Sequence, residues 1–465
     1  MRWLFMGVLC CTITAFAQNK QLLYGVNDLP QALHLNPGAA ITFEKHLGFP
    51  FLNASIGAGS SGVSVYDIFQ EGGDINARIL TALNRLDRRD HFVVHQQLDL
   101  FSYGWKPRFK EHYFSFGVYQ ELDAILYFPK DLATLAYQGN AGSIGRSFGF
   151  DDLSAAAELL TVYHFGISKP ISEKWRLGAR FKLYSSIFNL SSISNKGQFV
   201  TLETPEGPNF YSHQVQNAAL LANTSGVISV AEDGASPLGA AILSGNLGIG
   251  VDIGATYFYN DQWTATASLL DIGAIFHRTD LRNYALEGSY ELEGIEFLFP
   301  PILDGAAATP YWENLEDEIE DQLPFQDKLE QTYTTWRPLK INAGISYGFG
   351  QNLNGECDCT NGGEQRYQSL AGLQFFSVNR PQGLHSALTA FYDRSWNEVF
   401  RSKLTYTIDP YSHRNIGLLI SAQFNKFNVY IAADNLLEYP NLAKAYAASL
   451  QFGFQLIFDT NQYNR

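Results

Sequence analysis

Apolar and polar residues alternate strictly over runs of about ten positions, again and again along the chain. In 247–257, Leu247, Ile249, Val251, Ile253, Ala255 and Tyr257 share one face, and Gly248, Gly250, Asp252, Gly254 and Thr256 the other. The next run sets Trp263, Ala265, Ala267 and Leu269 against Thr264, Thr266 and Ser268, with the turn residues Asn260-Asp261-Gln262 between the two, so the pair predicts a β-hairpin. The same pattern runs through 175–184, 340–349, 415–424 and 450–459, and more weakly through 113–122 and 427–434.

No run reaches the ~18 consecutive apolar residues of a membrane-crossing helix. Alternation alone also fits a soluble sandwich with one wet face. Three features favour a transmembrane barrel: the unit length, an export signal, and aromatics at strand ends such as Trp175, Tyr257, Trp263 and Phe458, where interfacial girdles sit. The expected fold is therefore all-β, an outer-membrane β-barrel of about 14 antiparallel strands, an even number as bacterial barrels favour. Its apolar face meets membrane lipid. Its other face lines a lumen, with Arg176, Arg180, Lys182, Asp252, Lys340 and Asn342 as candidate lining residues. Helical spacing predicts short helices over 75–87, over 129–138, where Pro129 starts the turn, and over the acidic stretch 312–329.

The first residues read as an export signal: Met1-Arg2 is positive, Trp3 to Thr14 is apolar, and Ala15-Phe16-Ala17 is an A-x-A cleavage site. The division is thus 1–17 signal, 18–45 plug and 46–465 barrel. Segment 18–45 lacks alternation and holds Pro30 and Pro37, so it cannot be a regular central strand. Its backbone must be satisfied away from lipid, and the lumen is the place large enough. Asn36-Pro37-Gly38 is expected to turn the chain there. Cleavage removes Cys10 and Cys11. The remaining Cys357 and Cys359 read as a loop disulfide or surface thiols, two ligands short of a zinc site.

Composition sharpens this picture. Aromatics make up 14% and charged residues 17% of the 465 residues, with 40 glycines, which disfavours coiled coil, disorder and collagen. A net charge of −14 argues against nucleic acid as a partner. Gly57-Ala58-Gly59-Ser60-Ser61-Gly62 matches a dinucleotide fingerprint, but strand-like Val63-Ser64-Val65-Tyr66 follows where a helix is required, so it reads as a flexible lumen or rim segment. His91 and His95 stand in a strand pattern, and no H-E-x-x-H occurs. Neither catalytic residues, nor a metal site, nor a cofactor is expected, and the chain reads as a non-enzyme.

The mature start, Leu23-Tyr24-Gly25 through Leu33-His34-Leu35-Asn36-Pro37-Gly38-Ala39-Ala40, resembles the N-terminal hatch of the FadL/PorV-like outer-membrane proteins, with Gly38 where that hatch usually has Ala. Arg337-Pro338-Leu339 leading into Ile345-Ser346-Tyr347 is similar too. So is the near-repeat of Ser268-Leu269-Leu270-Asp271-Ile272-Gly273 by Ala433-Asp434-Asn435-Leu436-Leu437. With Phe128-Pro129-Lys130-Asp131-Leu132 and Gly139-Asn140, the whole looks most like an uncharacterised family of Bacteroidota outer-membrane proteins. The resemblance implies a plugged barrel in the outer membrane. It also implies either passage of a hydrophobic or amphiphilic ligand, or a place as accessory subunit in a protein complex of the type IX secretion kind.

Overall fold

The computed structural model describes residues 21–108, 111–205, 210–226, 242–292, 325–352 and 367–458. In chain order its strands are β1 (Lys45–Ser60), β2 (His91–Trp105), β3 (Tyr113–Tyr127), β4 (Ser147–Gly149), β5 (Ala155–Pro170), β6 (Trp175–Glu203), β7 (Tyr211–Ser225), β8 (Leu247–Phe258), β9 (Trp263–His277) and β10 (Leu281–Leu292). There follow β11 (Phe325–Leu329), β12 (Tyr333–Trp336), β13 (Lys340–Asn352), β14 (Tyr367–Arg380), β15 (Gly383–Ser395), β16 (Phe400–Ile408), β17 (Asn415–Phe424), β18 (Phe427–Asp434) and β19 (Ala447–Phe458). Fourteen of these close an antiparallel barrel, and β1 seals the ring by pairing with both β2 and β19.

The alternation read from the sequence is the inside–outside alternation of this wall. On β8, Leu247, Ile249, Val251 and Ile253 are exposed on the outer surface, while Asp252 and Thr256 are buried on the inner one. β6 does the same with Trp175, Leu177 and Phe181 outside and Arg176, Arg180 and Lys182 inside. Asn260 makes the β8–β9 turn by accepting the Gln262 and Trp263 amides at 3.0 and 2.7 Å, which lets the hairpin close without glycine.

The remaining strands extend the wall at one end. The upper part of β6 pairs with β7, β7 with β10, and β10 with β11, so a sheet continues beyond the ring. Here the expected acidic helix is corrected: 325–329 is strand β11 on β10, its alternate pairing partner Leu286 offering a ladder that outcompetes helical spacing. Residues 312–324 of that stretch, the expected signal 1–17, and Cys357 and Cys359 lie outside the described residues. The same upper end carries the long connections 61–90 and 128–154, with helices α2 (Val65–Phe69), α3 (Ile75–Arg85) and α4 (Lys130–Gln138). A capping box between Ser64 and Asp67 starts α2, and the Asp74 side chain caps α3. The lower end carries the short connections 171–174, 259–262, 396–399 and 425–426, together with Lys45 and Phe458.

The fingerprint-like glycines serve packing. Gly57 faces the His95 ring and Gly59 the Tyr411 ring, so either Cβ would overlap an inward aromatic side chain. No phosphate loop forms, since Gly57 and Gly59 are paired within β1.

Candidate functional site

Residues 21–44 lie inside the lower half of the ring. They run as consecutive turns with one short helix, α1 (Ala32–Leu35), and include Leu22, Leu23, Val26, Leu29 and Leu33, all buried. A segment with two prolines and no ladder leaves its carbonyls to be satisfied by side chains. The wall supplies them. Lys403 Nζ donates to Gln21 O at 3.2 Å and Tyr24 O at 2.6 Å, and Gln374 Nε2 to Gln21 O at 2.8 Å. Arg180 donates to Leu33 O and His34 O at 3.2 and 3.0 Å, and Ser268 Oγ and Asn342 Nδ2 donate to Leu35 O at 2.6 and 3.3 Å. Thr256 and Ser168 hydroxyls hold Gly38 O and Ala39 O at 2.9 and 3.2 Å.

The Asn36-Pro37-Gly38 turn lies against β6 and β8. Asn36 Oδ1 accepts the Gly38 amide at 2.9 Å, and its Nδ2 donates to Ala255 O at 3.2 Å. A Cβ on Gly38 would come within 2.5 Å of Gly254 O, so the residue that departs from the hatch pattern stands where the wall leaves no room for a methyl group. The apolar side of the segment packs on an inward apolar strip: Leu22, Leu23, Val26 and Leu29 cover Leu419 of β17 and Tyr430 and Ala432 of β18.

Above the segment the lumen is ionic. Arg180 Nε donates to Asp252 at 2.7 Å, and Lys182 reaches Asp252 and Asp271 at 3.0 and 2.5 Å. Lys340 bridges Asp271 and Glu121 at 2.9 and 3.0 Å. Arg337 pairs with Glu121 at 3.1 Å and with Glu158, and Arg380 with Asp123 at 2.8 Å. Five cations face five carboxylates here, which neutralises charges that burial would otherwise make costly. Between this network and the segment's His34 and Leu35 lies a cavity of about 60 Å³, space for a few waters.

Of the sequence candidates, Arg180, Lys182, Asp252 and Lys340 meet in this network, and Asn342 joins the segment's carbonyls and Ser268 at 3.1 Å. Arg176 is on the same face of β6, opposite Thr256, at the level of the Asn36-Pro37-Gly38 turn. Sequence reasoning missed Asp271, Glu121, Asp123, Glu158, Arg337 and Arg380 as lumen residues. Strict alternation from Trp263 puts Asp271 outside. A bulge reverses it: Val251 pairs with Ile272 but Ile253 with Leu269, and Asp271, at φ 61°, donates its amide inward to Asp252 at 2.6 Å. The signal that could have found it is an Asp on the apolar face of an alternating run, a residue type that is costly against lipid and tolerates the positive φ of a bulge.

A closed antiparallel barrel with an internally bound N-terminal segment is the class of protein this defines. Residues 37–434 match a family of unknown function, DUF5723, and the chain belongs to that family. No curated protein matches. Solved structures it is similar to include the toluene transporter TbuX of Ralstonia pickettii, at 10% identity and TM-score 0.41 over 92% of this chain and 94% of that one. A Pseudomonas aeruginosa FadL homologue gives 10% and 0.40 over 96% and 97%. The Pseudomonas putida toluene transporter TodX gives 11% and 0.36 over 92% of each.

Proposed function

We propose that the chain is an outer-membrane barrel, lower end in the periplasm, through which a small hydrophobic or amphiphilic molecule passes when residues 21–44 give way. Most of the short turns lie at the lower end and the longest described connections, 61–90 and 128–154, at the other, which supports this orientation. An eight-stranded wall can be filled by its own side chains, whereas fourteen strands enclose space that the chain must fill separately. The observation that carries the reading is what lies behind the filler: an inward apolar strip of Leu419, Tyr430 and Ala432, covered by the segment's own leucines. Displacing the segment uncovers a surface suited to an acyl or aryl group, with cations above it for a polar head.

The test is uptake of radiolabelled oleate or toluene by cells expressing the chain, against vector alone. Faster uptake is expected, and equal uptake of both contradicts the reading. The sheet projecting from β6 supports a second reading, a non-transporting subunit of an outer-membrane secretion or surface-assembly complex. In that case uptake stays at the vector level and the protein is isolated with a partner.

A further inference from the structure

The lumen is crossed a second time, above the N-terminal segment, by contacts between opposite walls. Asp123 on β3 meets Arg380 on β14 at 2.8 Å, although β5, β6, β8, β9 and β13 stand between those strands around the ring. Glu121, two residues below on β3, reaches Lys340 on β13. Nearer the rim, His91 on β2 and His385 on β15 bring their ring centres to 4.4 Å, with β1, β19, β18, β17 and β16 between them on the shorter way round. Tyr127 of β3 comes to 3.4 Å from His385 Nε2 and accepts the Gln382 amide at 3.3 Å, while Tyr411 comes to 2.9 Å from His91 Nε2. Glu121, Asp123, His91, Tyr127, His385 and Tyr411 are buried, Arg380 and Lys340 are partly so, and none of them belongs to residues 21–44.

We propose that this is a second barrier, an ionic and aromatic latch that closes the extracellular half of the lumen independently of the N-terminal segment. The inference deepens the reading of the lumen as a conduit and rests on it. The two barriers enclose the small cavity, whose floor is His34 and Leu35 and whose roof is the Asp123–Arg380 pair. Ser55 lines that cavity with a buried hydroxyl that has no hydrogen-bond partner, which marks the space as one for water. A latch of charged groups suits a lumen that must open into water. Each ion recovers hydration when the walls part, which offsets the loss of the pair, and salt entering the gap screens reclosure.

Thiol labelling of the full chain tests this. Ser55→Cys is placed in a background with Cys357 and Cys359 changed to serine, and intact cells are exposed to a membrane-impermeant maleimide. With the latch intact, labelling should be slow. Arg380→Glu, which sets a like charge against Asp123, should speed it by about tenfold or more. Asp123→Lys combined with Arg380→Glu should slow it again while heat-modifiable migration shows each barrel folded. Fast labelling of Ser55→Cys with the latch intact, or no acceleration in the folded Arg380→Glu protein, overturns the proposal. A barrel that carries no cargo would still give this pattern if the latch exists, so failure of the uptake reading and failure of the latch are told apart.

Discussion

Gly178 and Gly254 stand directly opposite each other on β6 and β8 and together form the seat of the Asn36-Pro37-Gly38 turn. A Cβ on Gly178 would overlap the Pro37 carbonyl, and one on Gly254 the Asn36 side-chain oxygen. Both obstacles are backbone or a side chain fixed by its own hydrogen bonds, so neither can yield cheaply. Gly254→Val is therefore expected to unseat the turn and speed amide hydrogen exchange over 32–40, with strand amides of the barrel unchanged. Unaltered exchange there would show that the segment does not depend on this seat.

The lipid-facing assignment predicts a depth-dependent penalty. Ile249→Arg or Ile345→Arg should destabilise by roughly 2–4 kcal/mol in urea refolding into bilayers, and lumen-facing Thr264→Arg by less than about 1 kcal/mol. Thr266 is unsuited to the comparison although it faces inward, because it accepts the Tyr24 hydroxyl at 2.8 Å and a long side chain there would strike the N-terminal segment. Equal losses at all three positions would contradict the assigned facing, and a larger loss at Thr264 than at the isoleucines would mean the register is wrong by one residue.

Within the ionic network, removing one charge strands its partners. Asp271→Asn leaves Lys182 and Lys340 each short of a carboxylate and should cost about 3–5 kcal/mol in the same refolding assay. Asn342→Ala removes only neutral hydrogen bonds and should cost about 1 kcal/mol. Similar small losses for both would place Asp271 in contact with bulk water.

The wall was legible in the sequence because period-two alternation is imposed by lipid on one side and a wet or packed lumen on the other. Ile249, Ile345 and Asp252 could be assigned to faces from spacing alone. Alternation fails wherever the ladder is interrupted. At Asp271 a bulge reverses the phase, and in β1 the residues Phe49-Pro50-Phe51-Leu52 leave the pairing with both neighbours after Gly48, which resumes at Asn53 with β19 and at Ala54 with β2. Arg337 was out of reach for a different reason, lying in the break between β12 and β13 where no periodicity applies. The cross-lumen partners of Glu121 and Asp123 are more than two hundred residues away, and nothing local encodes which walls approach each other. The end of the acidic stretch, 325–329, reads as helix because the apolar spacing of Trp312, Leu315, Ile319 and Leu323 is carried on to Leu329, and nothing local shows that β10 offers a partner there.

The inward strip on β17 and β18 is expected to receive an apolar cargo once the N-terminal segment moves, and photolabelling reads this out. The two faces of these strands provide the control: Leu419, Tyr430 and Ala432 point inward, and Ile420, Val429 and Ile431 are exposed outside. A diazirine-bearing fatty acid, applied to the barrel in bilayers and mapped by peptide mass spectrometry, should label the inward residues, and more strongly when Gly254→Val loosens the segment. Labelling confined to Ile420, Val429 and Ile431 in both proteins would contradict the account, since it would place the fatty acid only in the surrounding lipid.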